Sequence, residues 1–166
     1  MNVKKKSQLQ EKQVAKDLSA EVVIASGALW GSKGDVRSDK FLVECKTTDK
    51  SYYTLSVSTW QKIEKEAVKD GLRIPVMCIE LKPAKSTEKC KFALIRYLDM
   101  EGLNSHSCSE ITEGLPLHFC HGKSVRITRP EFIVFTAGTV NKNNSENFAV
   151  VSWEDFLYLL KGASYE

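Results

Sequence analysis

Two rhythms of apolar and polar positions alternate along the chain. In SQLQEKQVAKDLS (7–19), Leu9, Val14 and Leu18 form one stripe and Ser7 stands where it can cap, so a helix is expected. EVVIAS (21–26) reads as a short strand, followed by a glycine-rich loop, GALWGSKG (27–34). A β-hairpin is expected over about 34–47. From 57 to 70, Val57, Trp60, Ile63, Ala67 and Val68 return to helical spacing, with Ser56 or Ser58 as cap and Gly71 as stop. RIPVMCIEL (73–81) is nearly all apolar, as in a strand covered on both faces. CKFALIRYL (90–98) is expected to be the next strand.

The last third is less periodic. LNSHSCSEITEGLPLHFCHGK is expected to be loop with short structured pieces, and VNKNNSEN a turn or loop. SVRITR (124–129), EFIVFTAG (131–138) and FAVVS read as strands. SWEDFLYLLKG closes the chain as a helix, with Ser152 as cap, Asp155 at the capping-box position and Gly162 at its end. No internal repeat or low-complexity tract interrupts this order. The expected fold is α/β, a central mixed β-sheet flanked by helices. Residues 1–100 form its core and 101–166 a C-terminal α+β extension packed on it as one unit.

Composition narrows the class. The chain has 166 residues, enough for one domain with a real core, and is 42% hydrophobic and 27% charged. A net charge of +3 permits a nucleic-acid partner without demanding one. No run approaches the roughly 18 apolar residues of a membrane span. The basic start MNVKKKSQLQEKQ lacks the apolar segment of a signal peptide, so a cytoplasmic location without membrane contact is expected. Five cysteines without regular spacing then read as reduced thiols, with Cys45, Cys78 and Cys90 as small core residues.

The hairpin carries the chemistry. KGDVRSDKFLVECKTTDK (33–50) places Asp35, Glu44 and Lys46 among apolar positions, where charge is costly unless paired or bound to metal. Residues two apart share a strand face, so Glu44 and Lys46 point one way with Leu42, and Phe41, Val43 and Cys45 the other. If Val36 pairs with Phe41, Asp35 joins the face of Glu44, whereas a slip of one residue sends it to the opposite face. Two carboxylates so placed suit Mg²⁺, which polarises a phosphoryl oxygen and acidifies bound water. A lysine beside them can stabilise developing negative charge. The plain alternative is a solvated edge-strand ion pair. A second Asp, Glu and Lys set, Asp70, Glu80 and Lys82, is set aside because Asp70 falls at a helix end and Lys82 just before Pro83.

The segment GDV…FLVECK resembles the core of the PD-(D/E)xK nuclease superfamily, with Gly34 in place of the proline of its name. The order helix, three-stranded meander, helix, strand is similar too, over about residues 7–82. Within that superfamily the chain is most similar to archaeal-type Holliday-junction resolvases. Glu11 matches their helix Glu, SGALWGSKGD their small-residue loop, and Asp35, Glu44 and Lys46 their remaining site residues. The resemblance implies a restriction-endonuclease-like core and a Mg²⁺- or Mn²⁺-dependent DNA endonuclease. Asp35, Glu44 and the Cys45 carbonyl would hold metal, Glu11 would help directly or through water, and Lys46 would serve the nucleophile. Cutting branched DNA symmetrically implies a homodimer. A restriction- or repair-type nuclease and a non-catalytic DNA-binding module share the same core.

Lys5, Lys6 and Lys33, with Ser26 and Ser32, are candidates for phosphate contacts, and Tyr52 and Tyr53 can stack or pack. His106, Cys108, His118 and Cys120, followed by His121, supply ligands of the type Zn²⁺ takes, though without the Cys-x2–4-Cys arms of a zinc finger.

Overall fold

The computed structural model describes residues 3–23, 34–82, 88–103, 118–120, 124–127, 133–138 and 145–162. Helix α1 (Val3–Asp17) is followed by β1 (Glu21–Val22), β2 (Val36–Arg37), β3 (Phe41–Thr47), β4 (Tyr53–Ser56) and α2 (Val57–Lys69). Next come β5 (Ile74–Leu81), β6 (Cys90–Arg96) and α3 (Tyr97–Glu101). β7 (His118–Cys120), β8 (Ser124–Ile127), β9 (Ile133–Gly138), β10 (Ser145–Ser152) and α4 (Trp153–Gly162) complete the order.

Eight strands form one mixed sheet, ordered β1-β2-β3-β5-β6-β10-β9-β7, while β4 and β8 pair as a separate antiparallel ribbon. The α/β class with a mixed sheet and flanking helices is therefore as expected. β3 runs parallel to β5, which no tight turn can achieve, so the chain crosses over through β4 and α2. β10 pairs along β6, carrying the sheet from the hairpin into the last third of the chain.

Alternation along β5 feeds two cores at once. Val76 and Cys78 pack with Val14, Phe41, Val43 and Phe156 under α1 and α4. Met77, Ile79 and Leu81 pack with Leu55, Trp60, Ile63 and Phe92 under α2 and the ribbon. This two-sided burial is why 73–81 reads as one apolar run. Each large side chain buried this way contributes about 1.5–3 kcal/mol relative to exposure. Among the described residues, no helix is long and apolar enough to cross a membrane.

Several boundaries differ from expectation. α1 starts at Val3, so Ser7 lies inside it and donates to Glu11 Oε1 at 2.9 Å instead of capping. Its buried stripe is Gln10, Val14 and Ala15, and Leu9 is exposed. α2 starts at the expected cap, with Ser56 Oγ accepting the Thr59 amide at 3.2 Å, and the chain leaves it through Gly71 at φ +93°. Val68 lies outside its stripe. The strand expected over 90–98 stops at Arg96, and Tyr97 and Leu98 open α3. Ser145–Asn147, read as loop, belong to β10. β4 has no counterpart in the sequence reading, because its pairing partner β8 is remote in the chain. α4 is capped as expected: Ser152 Oγ accepts the Asp155 amide at 3.0 Å and donates to its carboxylate at 2.6 Å.

Candidate active site on the motif hairpin

The face of Asp35 depends on hairpin register. β2 pairs with β3 as Val36↔Val43 and Arg37↔Leu42, not as Val36 with Phe41. A displacement of two residues preserves every face, because side chains alternate with period two. The turn explains the register. Ser38 N–H donates to the Phe41 carbonyl at 3.0 Å, and Phe41 N–H donates to Ser38 Oγ at 2.9 Å, leaving Asp39 and Lys40 at the tip. The Ser38 carbonyl is taken by Arg73 Nε at 2.6 Å, from beyond α2.

Gly34 enters the site at φ +99°, and a Cβ there would lie 2.8 Å from Leu42 Cδ1. Proline, fixed near φ −65°, cannot adopt that backbone. Glycine rather than proline is thus built into this hairpin at position 34.

Asp35 brackets Glu44 on the facing strand. Its N–H donates to the Val43 carbonyl at 3.0 Å, and its Oδ2 accepts the Cys45 N–H at 2.7 Å. Glu44 Oε1 accepts from Lys46 Nζ at 2.5 Å. Asp35, Glu44 and Lys46 are all half-buried, and Glu11 acts on Asp35 from α1. Burial first, then the charge of Glu44, push the Asp35 carboxyl up to about 6; Glu11 adds to this, and the Cys45 amide and Lys46 offset it only in part. Burial works against the Lys46 charge, but the hydrogen bond and charge of Glu44, helped by Asp35, leave its pKa raised. Tyr53 on β4 feels the same charges: burial lifts its phenol, Lys46 opposes, and Glu44 adds to the rise.

Among the described residues, no three His, Cys, Asp or Glu side chains form a closed metal cage. The acids are held by the Cys45 amide, Lys46 and Ser7.

Gln10 escaped the sequence reading. It is the one buried polar residue among those described, and its Nε2 donates to the carbonyls of Lys46 at 3.2 Å and Cys78 at 3.1 Å. It thereby ties α1, next to Glu11, to the end of the motif strand. Its position four residues before Val14, on the buried stripe, was the available signal.

Cys45 and Cys78 lie side by side on β3 and β5, both buried. Their mutual hydrogen bond and then burial push the Cys45 thiol up, so these are inert core thiols as expected. Cys90 is only half-buried, its Sγ bonded to the Leu81 carbonyl at 3.6 Å. Asp70, of the rejected second set, is held by Arg73 at 3.0 Å past the end of α2. Trp60 is core, edge-on to Phe148 at 5.0 Å, with Nε1 donating to Glu64 at 2.6 Å.

Lys5 and Lys6 lie within α1, ahead of the helix start expected at Ser7; Lys5 is exposed, and Lys6 pairs with Asp49 at 2.7 Å. Ser26, Ser32 and Lys33 lie outside the described residues, as do His106 and Cys108. His118 and Cys120 belong to β7, at the edge of the sheet beside β9.

No family model matches the chain, and no curated protein does. Among solved structures, the chain is similar to Hjc, a Holliday junction resolvase from the archaeal hyperthermophile Archaeoglobus fulgidus. The two are 16% identical over 49% of this chain and 70% of that one, with a TM-score of 0.36. At that level of likeness, function has to be argued from the side chains themselves.

Proposed function

We propose that this chain is a metal-dependent DNA endonuclease, acting on branched DNA as a resolvase-like homodimer. One observation carries the reading: Asp35 brackets Glu44 beside Lys46, half-buried, with the Asp35 carboxyl held up to about 6. A structural ion pair balances its charges. Here Glu11, Asp35 and Glu44 act together against Lys46, an excess of acid that a hard cation with oxygen ligands relieves. The donor set therefore fits Mg²⁺ or Mn²⁺, which Asp35, Glu44 and the Cys45 carbonyl would hold, with Glu11 direct or through water. When bound, such a cation polarises the phosphoryl oxygen and lowers the pKa of its water.

The chain's own groups have distinct tasks. With its pKa raised, Lys46 is an ammonium at neutral pH, so it donates to the attacking or non-bridging oxygen and does not remove a proton. The Cys45 amide fixes the Asp35 carboxylate and Glu44 holds the Lys46 ammonium, while Gln10 anchors the Lys46 main-chain carbonyl, so the site is oriented before substrate arrives. By analogy with the superfamily, the products are a 5′ phosphate and a 3′ hydroxyl.

The test is cleavage of labelled four-way-junction, linear duplex and single-stranded DNA, with Mg²⁺ or EDTA, by wild type and Glu44→Ala. Paired metal-dependent nicks near the junction, lost in the variant, are expected. Cutting of linear duplex instead would move the protein to the restriction or repair class. Binding without cutting would leave a DNA-binding module, and neither would end the nuclease reading.

A further inference from the structure

Four lysines from four separate stretches meet where β3 and β5 end. Thr47, the residue after Lys46, accepts from Lys89 Nζ at 2.8 Å and donates to Glu80 Oε1 at 3.1 Å. Lys89 Nζ also lies 2.6 Å from Glu80 Oε1 and 4.0 Å from Asp49 Oδ1. Lys6, from α1, holds the other Asp49 oxygen, Oδ2, at 2.7 Å. The Lys82 amide donates to the Lys50 carbonyl at 3.2 Å, bringing two further exposed lysines to the same sheet end. Exposed Glu88 borders the group.

Glu80 and Thr47 hold Lys89 at 2.6 and 2.8 Å, but stability does not account for Asp49. The Asp49 side chain is 63% exposed, and ion pairs so solvated contribute little. Its two oxygens each address a different ammonium, as the two non-bridging oxygens of a phosphodiester would. Lysine binds phosphate as a point charge, and such contacts position a duplex without reading its sequence. The hydrogen bond and charge of Lys6, with Lys89 and Lys82, also hold the Asp49 carboxyl below its ordinary range, so it stays ionised in the free protein.

We propose that this cluster carries the DNA backbone away from the cleavage site, with Lys6 and Lys89 taking a phosphate whose place Asp49 fills in the free protein. The proposal rests on the nuclease reading above and names the surface that holds its substrate. It makes two opposite demands. Losing a lysine weakens binding and flattens its salt dependence. Losing the Asp49 charge strengthens binding, because the phosphate no longer competes with a carboxylate.

The experiment is fluorescence anisotropy of a labelled DNA duplex across a salt series, in EDTA so that nothing is cut. Wild type, Lys89→Gln, Lys6→Gln and Asp49→Asn are compared, with cleavage in Mg²⁺ measured alongside and thermal melts to confirm folding. Each lysine variant is expected to lose affinity and to reduce the slope of log K against log salt by about 1. Asp49→Asn is expected to bind about three- to fivefold more tightly at low salt. If Asp49→Asn binds no better than wild type, or the lysine variants keep the full slope, the track is refuted while DNA cutting leaves the nuclease reading standing. A wild type that neither binds nor cuts ends both.

Discussion

The substitution Asp35→Asn separates stability from function in this hairpin. The Asp35 carboxyl titrates near 3.8 in an unfolded chain and about 6 in the folded protein. Below pH 3.8 it is neutral in both states and contributes nothing. Between 3.8 and about 6 the folded state holds its proton more tightly, so stability falls as pH rises, and above 6 the loss is complete. The full displacement corresponds to about 3 kcal/mol. Asp35 is only partly buried, and solvent screening reduces the usable figure to about 1–2 kcal/mol. The amide side chain of the variant keeps an oxygen to accept the Cys45 N–H and sheds the repulsion from Glu44 and Glu11. In EDTA at pH 7.5 the variant is therefore expected to melt about 3–6 °C above wild type, and at pH 4 to melt with it. Added Mg²⁺ should raise the melting temperature of wild type and leave the variant unchanged, while DNA cutting is lost. A variant that melts at or below the wild-type temperature at pH 7.5 in EDTA would refute the reasoning, because it would mean the acids do not repel one another.

Three further substitutions probe the supports of the site. Gly34→Ala places a Cβ against Leu42 at φ +99° and is expected to cost about 1–3 kcal/mol in denaturant unfolding, with loss of cutting. Lys46→Met removes the donated charge; the rate of metal-dependent cutting should fall by about 10²–10³ while stabilisation by Mg²⁺ persists, since the acids remain. Gln10→Leu leaves the Lys46 and Cys78 carbonyls without their buried donor and is expected to cost about 1–3 kcal/mol in thermal or denaturant unfolding.

What the sequence determined by itself was local. The spacing of Trp60, Ile63 and Ala67, with Ser56 before and Gly71 after, specifies α2 because caps and stripes act within a turn or two of the chain. The apolar run 73–81 announces a two-sided strand, and Glu44 and Lys46 announce a shared face, since alternation along a strand needs no partner to be read, whereas Asp35 joins them only through the hairpin register. Register, burial of polar groups and charge assembly were decided only in three dimensions. The hairpin pairs Val36 with Val43 and not Phe41 through the Ser38–Phe41 turn, onto whose Ser38 carbonyl Arg73 docks from beyond α2. Gln10 becomes a buried tie only when α1 docks on β3 and β5, and β4 becomes a strand only when β8 arrives beside it. Lys50, Lys82 and Lys89 look like scattered surface charges along the chain; the parallel β3–β5 pair brings Lys50 and Lys82 to one sheet end, where Lys6 of α1 and Lys89 ahead of β6 join them. Local propensity acts through neighbouring residues, whereas these contacts join groups far apart in sequence, whose meeting depends on the packing of the whole sheet.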